Sequence, residues 1–215
     1  MTLEFDGIEF GFDGRSLLTG IHMTCHQGQV IGLLGRNGTG KSTLMKIVFG
    51  SIHSEVGSVR INGTPVPAPA FSSRRISYLP QDHFVPYNLR LKIIMNLYGV
   101  SPQRLLEHFP ELEDDLQLLP SQLSGGRLRL FECLLILLGP SSFCLLDEPF
   151  TGLSPVFVER LQQVISHEKK SKGIVLSDHL YRDVLEIADC VYVLSNGRTF
   201  EVTEEEGLVR RGYLV

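Results

Sequence analysis

The sequence predicts an α/β fold whose mostly parallel sheet carries an antiparallel β fringe and an inserted helical block. Three observations predict it. Val30–Leu34 reads as a buried strand that runs into the glycine-rich segment Gly35-Arg36-Asn37-Gly38-Thr39-Gly40-Lys41-Ser42-Thr43, and Thr43–Phe49 continues as a helix. From Ser142 onward strand and helix alternate: strand Phe143–Leu146, helix Pro155–Lys170, strand Ile174–Ser177, helix Leu180–Ala188 and strand Cys190–Leu194. Between Asp82 and Leu138 the pattern turns helical. The 215 residues suit one domain. Residues 1–81 and 142–215 are expected to form its α/β core with the fringe, and residues 82–141 the helical insert.

The opening stretch reads as short strands broken at the turn dipeptides Asp6-Gly7 and Asp13-Gly14. Gly57–Gly63 is a strand ending in Asn62-Gly63, Thr64–Ala70 a proline-rich surface connection, and Ile76–Leu79 a strand stopped by Pro80. Leu89–Tyr98 is amphipathic, and Ser101-Pro102 opens another helix as N-cap and first-turn proline. Glu111–Asp115 is an acidic run expected on a solvated face. Asn196-Gly197 predicts a closing hairpin.

A hydrophobic share of 43%, a charged share of 20% and a net charge of -4 are ordinary for a soluble protein and argue against a basic nucleic-acid surface. The longest apolar run, Cys133–Leu138, is far too short to cross a bilayer, and the acidic start lacks the features of a signal peptide, so a cytosolic protein is expected. Cys25, Cys133, Cys144 and Cys190 are widely separated in apolar surroundings, the pattern of buried reduced thiols. His22 and His26 read as an exposed strand pair.

The segment from Gly35 to Ser42 fits G-x-x-x-x-G-K-[ST], and each position has a physical role. The glycines let successive N–H groups of Gly35, Asn37, Gly38, Thr39 and Gly40 point at phosphates. Lys41 adds charge at the β/γ-phosphates, Ser42 offers its hydroxyl to Mg²⁺, and the helix opened by Thr43 presents its positive end. A P-loop NTPase core that binds a nucleoside triphosphate is therefore expected. The apolar strand Phe143–Leu146 ends in Asp147-Glu148, where ligands gather in α/β sheets. Placed beside the phosphate-loop strand, it would deliver Asp147 to the magnesium and Glu148 to a water attacking the γ-phosphate. Leu123-Ser124-Gly125-Gly126 opens a helix with a second anion-binding corner.

In this order of motifs the chain resembles, over essentially its whole length, the nucleotide-binding subunit of an ABC (ATP-binding cassette) protein. The resemblance implies ATP and Mg²⁺ as ligands and a Mg-dependent ATPase. It implies a head-to-tail dimer, with itself or a closely related cassette, in which Ser124, Gly125 and Gly126 of one chain close on the ATP of the other. It also assigns Gln81 to the glutamine loop that reaches the magnesium, His179 to the switch that contacts the γ-phosphate, and Phe12, with Phe10 competing, to stacking on adenine. Integral membrane transporter subunits in separate chains would be the partners, with the cassette peripheral on the cytoplasmic face; no nucleic acid is implied.

The chain departs from the family pattern at three places. Arg127 stands where Gln is usual. Thr151-Gly152-Leu153-Ser154 replaces Ser-Ala-Leu-Asp, which puts cross-talk between the two dimer sites in doubt. The span from Gln81 to Ser124 is short. A soluble ABC ATPase driving a non-transport assembly is the alternative, and a degenerate regulatory cassette the weakest reading. A switch-type GTPase is disfavoured by the lack of an Asn-Lys-x-Asp segment.

Overall fold

In a computed structural model of the chain, the described residues are 1–54, 56–67, 69–202, 207, 208 and 213. The first strands are β1 (Thr2–Phe12), β2 (Arg15–His26), β3 (Val30–Leu34), β4 (Val56–Ile61), β5 (Thr64–Pro65) and β6 (Ile76–Leu79). β7 (Phe143–Asp147), β8 (Gly173–Ser177), β9 (Cys190–Ser195) and β10 (Arg198–Val202) follow. The helices are α1 (Lys41–Phe49), α2 (Leu91–Tyr98), α3 (Pro102–His108), α4 (Gly125–Leu138), α5 (Pro155–Glu168) and α6 (Tyr181–Ile187). Among the described residues, α2 to α4 all lie in sequence between β6 and β7.

Two sheets form among the described residues. The fringe has the order β2-β1-β4-β5 and is antiparallel. The main sheet has the order β10-β9-β3-β8-β7-β6, parallel except for β10. Asp13-Gly14, Asn62-Gly63 and Asn196-Gly197 each adopt paired left-handed angles, φ 49° and 74°, 51° and 73°, 49° and 76°. That conformation matches the twist of the hairpins they close. Asp6-Gly7 behaves otherwise. β1 runs through it, with Gly7 at φ 66° and a register shift between Asp6 and Ile8, so this dipeptide is a bulge and not a turn.

A second sequence expectation is corrected in the main sheet. β7 does not lie beside β3, because β8 pairs in parallel with both and separates them. Both strands still end at the same edge of the sheet.

Strand alternation divides the core in two. Along β3, Val30 and Leu34 pack toward the helices around α4, whereas Ile31 and Leu33 pack toward the fringe and α1. β7 repeats this with Cys144 and Leu146 on one face and Phe143 and Leu145 on the other. Burial on both faces explains why these strands read as continuous apolar runs. α4 is buried from Leu128 to Leu138, all round its circumference, and so holds the longest apolar run of the chain. No helix among the described residues is long and apolar enough to cross a membrane.

The acidic run is a solvated face in part: Glu111, Glu113 and Asp114 are exposed, but the segment's other side is buried. Leu112 and Leu116 enter the core, Asp115 is 4% exposed and faces Arg127, and Glu111 pairs with Arg160. The apolar residues interleaved with the acids draw the segment inward. Cys25, Cys133 and Cys144 are buried, Cys190 is half-buried, and all four are free. His22 and His26 are exposed on β2, as expected.

Arg104 Nη2 of α3 donates to both carboxylate oxygens of buried Glu168 of α5 at 2.8 and 2.7 Å, and its Nη1 donates to the Leu138 carbonyl at 2.9 Å, tying three helices together. His108 and His167 also approach Glu168, but the guanidinium already occupies both carboxylate oxygens, which closes this group to a cation. Arg104→Ala leaves a buried carboxylate unpaired. It should lower stability by about 3 kcal/mol, the low end for breaking a buried pair because Arg104 is 42% exposed, as read from urea unfolding.

Candidate active site

β3 ends at Leu34 and the chain turns back over its own end. Gly35 permits the turn, since a Cβ there would lie 2.7 Å from the Leu194 carbonyl oxygen. Gly40 takes φ 103° against Leu17 and Leu18 and starts α1, whose N-terminus has no side-chain cap and no acid in its first turn. The N–H groups of that turn are thus left for a ligand. Thr39 Oγ1 donates to the Arg36 carbonyl at 2.8 Å. Lys41 Nζ folds back on the loop and donates to the carbonyls of Gly35 at 2.7 Å and Arg36 at 3.3 Å. Burial pulls the Lys41 pKa down, against the raising effect of Asp147, Glu148 and Asp178.

Asn37, Gly38, Gly40, Lys41, Ser42, Thr43, Gln81, Glu148 and His179 line a cavity of about 590 Å³, with Leu17 as its apolar wall. That volume suits a small-molecule ligand of nucleotide size. Asp147 lies beneath it, 1% exposed. Its Oδ1 accepts from Ser177 Oγ at 2.8 Å and its Oδ2 from Tyr78 Oη at 3.1 Å. Burial pushes the Tyr78 phenol far up, so it remains a neutral donor to the carboxylate.

Glu148 occupies a left-handed conformation, φ 51°. Its amide donates to the Ser177 carbonyl at 2.7 Å. Its carboxylate accepts from Gln81 Nε2 at 3.1 Å and Thr151 Oγ1 at 3.4 Å, with His179 Nδ1 at 3.8 Å. Buried Asp178 accepts from the amides of Phe150 and Leu180, both at 3.0 Å, and so joins the turn after Glu148 to the loop carrying His179.

Ser42, Gln81 and Asp147 carry oxygen donors, the type of ligand atom a small hard cation such as Mg²⁺ takes. Gln81 turns its NH₂ toward Glu148, which leaves its oxygen as the end for a cation.

Some expected residues do not line the cavity. Ser124 caps α4, its Oγ accepting from the Arg127 amide at 3.4 Å, and Ser124, Gly125 and Gly126 lie outside the lining. Gly126 abuts the next loop, where a Cβ would sit 2.7 Å from the Gly152 carbonyl oxygen, whereas a Cβ at Gly125 would meet nothing. Phe12 is 71% exposed at the tip of β1 and also outside the lining, and Phe10 packs against the fringe core. Gly35 and Thr39 shape the loop from behind.

Sequence reasoning missed Leu17, Tyr78, Thr151, Ser177, Asp178, Arg129 and Glu132. Only the last two left a signal. They are opposite charges three residues apart inside the otherwise apolar stretch Leu128–Leu138 of α4, and both are buried.

Residues 18–151 match the family described as ABC transporter. The chain belongs to the ABC transporter ATP-binding family. This ABC cassette is 30% identical over 99% of its length to the lipopolysaccharide export system ATP-binding protein LptB of Escherichia coli, covering 97% of that protein. It is 29% identical over 91% of its length to the Nod factor export ATP-binding protein I of Burkholderia lata, covering 68% of it. Among solved structures, the ATP-binding subunit of an ABC transporter superposes with a TM-score of 0.87 at 27% identity, over 99% of this chain and 94% of that one. The cassette is thus an ATP-hydrolysing subunit of the kind that powers membrane transporters.

The left-handed backbone at Glu148 stores strain that glycine would release. Glu148→Gly in the ABC cassette should raise stability by up to about 1 kcal/mol, or about 2–4 °C in melting temperature, while ATPase activity is lost. Calorimetry and a phosphate-release assay on the same preparation check both halves.

Proposed function

We propose that the cassette binds MgATP in the Lys41 cavity, hydrolyses it with Glu148, and drives a membrane transporter by closing head to tail on a second cassette. The convergence of Lys41, Gln81, Glu148 and His179 on one cavity carries this reading. Lys41 exchanges the carbonyls of Gly35 and Arg36 for phosphate oxygens, and the first turn of α1 donates its N–H groups to the same anion. Ser42, Gln81 and Asp147 would hold a magnesium ion, which would supply charge neutralisation at the phosphates. Glu148 orients the attacking water and takes its proton, and His179 hydrogen-bonds the γ-phosphate. Phe12, with its ring in solvent at the tip of β1, stacks on adenine.

Ser124, Gly125 and Gly126 form an anion corner outside their own chain's cavity, which favours a γ-phosphate supplied by a second cassette. On this reading residues 82–141 form an arm that moves against the core of residues 1–81 and 142–215. Between arm and core lies an apolar groove of about 730 Å³, lined by Phe49, Phe71, Phe84, Leu97 and Tyr98 and reaching Pro80 beside Gln81. We assign it to a helix of the membrane subunit, because an occupant there touches the segment that carries Gln81. Leu97, 67% exposed, is its most accessible apolar group. The cassette then sits peripherally on the cytoplasmic face of the membrane.

Glu148→Gln should retain ATP binding, lose turnover by about 10²-fold or more, and run as a dimer on size exclusion with MgATP. Lys41→Ala should abolish both binding and dimer. Turnover at the wild-type rate in Glu148→Gln would overturn the assignment. Leu97→Glu should release the polytopic membrane protein from a pull-down out of gently solubilised native membranes, with an unchanged melting temperature showing an intact fold. Recovery of soluble partners alone with the wild-type chain would move the cassette to a non-transport assembly.

A further inference from the structure

Arg129 and Glu132 form a buried charged unit in the middle of an apolar helix, 4% and 0% exposed, and none of the site's expected chemistry uses them. Arg129 spends its donors on backbone. Nη1 donates to the Pro80 carbonyl at 2.7 Å, and Nη2 to the carbonyls of Asp147 at 2.5 Å and Glu148 at 3.0 Å. Glu132 lies 3.8 Å from Arg129 Nη1, accepts from the Phe84 amide at 3.0 Å, and faces His83 Nδ1 at 2.8 Å. The guanidinium therefore grips the chain immediately before Gln81 and at Glu148, and the carboxylate grips it just after Gln81.

We infer that Arg129, seated by Glu132, is the positioning residue that sets the distance between Gln81 and the water-orienting carboxylate of Glu148. Two constraints make it necessary. Glu148 has a left-handed backbone that its own side chain does not favour, and Arg129 holds that residue's carbonyl directly. Gln81 sits on a loop that no strand pairs, and its side chain reaches Glu148 Oε2 at 3.1 Å. One planar guanidinium fixes both carbonyl positions at once, which a single ammonium cannot do. Because α4 begins at Gly125, the same helix links the Ser124 corner to this spacing. A small shift of that spacing acts on the attacking water and leaves the phosphate-binding loop untouched.

The inference rests on the proposed role of Glu148. In the full-length cassette, Arg129→Lys keeps a positive charge for Glu132 but loses the fork. Its kcat should fall by about 10-fold or more while KM for ATP and the affinity for a fluorescent ATP analogue stay within about 3-fold. Glu132→Gln keeps an acceptor for the Phe84 amide and should show the same kcat-specific loss, smaller in size. Adding Arg129→Lys to Glu148→Gln should cause no further loss of turnover, because the group being positioned is already gone. Unchanged kcat in a folded Arg129→Lys, or a loss that appears equally in ATP affinity, overturns the inference. Wild-type turnover in Glu148→Gln overturns the reading beneath it instead. If Arg129→Lys does not fold, Glu132→Gln decides by the same split between kcat and KM.

Discussion

The parallel register of β7 on β8 is the constraint from which the site follows. It sets Asp147 opposite Ser177, and the ladder extends one residue further through the Glu148 amide to the Ser177 carbonyl. Two adjacent acids are thereby held by different means, one by side-chain donors and the other by its backbone. β8 in turn pairs with β3, so the phosphate loop and the acids are referred to one common strand. A slip of one residue in either pairing would turn Asp147 to the opposite face of the sheet.

Buried charge is the second organising theme. Arg104–Glu168 and Arg129–Glu132 lie in regions otherwise filled by leucine, isoleucine and phenylalanine. Such pairs contribute little net stability against a hydrophobic replacement, but a broken pair is severe. Here each arginine also satisfies backbone carbonyls, at Leu138 for Arg104 and at Pro80, Asp147 and Glu148 for Arg129. Those carbonyls lie at or just beyond the ends of α4, β6 and β7, which ties the charged groups to connection geometry.

Much of the fold was legible because its signals are local. Strand alternation, the Asp-Gly and Asn-Gly turns, the Ser101-Pro102 cap and the glycine pattern from Gly35 to Gly40 act within a few residues. The cavity was legible for the same reason, since Gln81, Glu148 and His179 each follow closely on a recognisable strand, and Lys41 and Ser42 open the helix after the glycine-rich loop. Three features were misread, one of them only in part. Asp6-Gly7 has a turn's composition but lies inside a strand that bends, and only pairing with β2 and β4 separates a bulge from a turn. The acidic run keeps Glu111, Glu113 and Asp114 exposed, but buried Leu112 within it and Leu116 just after it draw Asp115 inward, and its cations, Arg127 and Arg160, come from other helices. The insertion of β8 between β3 and β7 is a property of sheet order, which no local pattern encodes. Tyr78, Ser177 and Asp178 were passed over because ordinary residue types in apolar strands gain meaning only from the carboxylate or amide they meet.

The all-round burial of α4 bears on how the molecule opens. From Leu128 to Leu138 the helix has no face in water, and its neighbours include strands of the main sheet as well as α2, α3 and α5. Its peptide hydrogens can reach solvent only when the surrounding elements separate, so their exchange reports the largest cooperative unfolding unit of the chain. α2 packs Leu91, Ile94 and Met95 into the same core, and the loop after β6 is hydrogen-bonded to the buried charges of α4. The segment that carries Gln81 is tied to this helix through Arg129 and Glu132, so the site's geometry is referred to the most protected element of the chain.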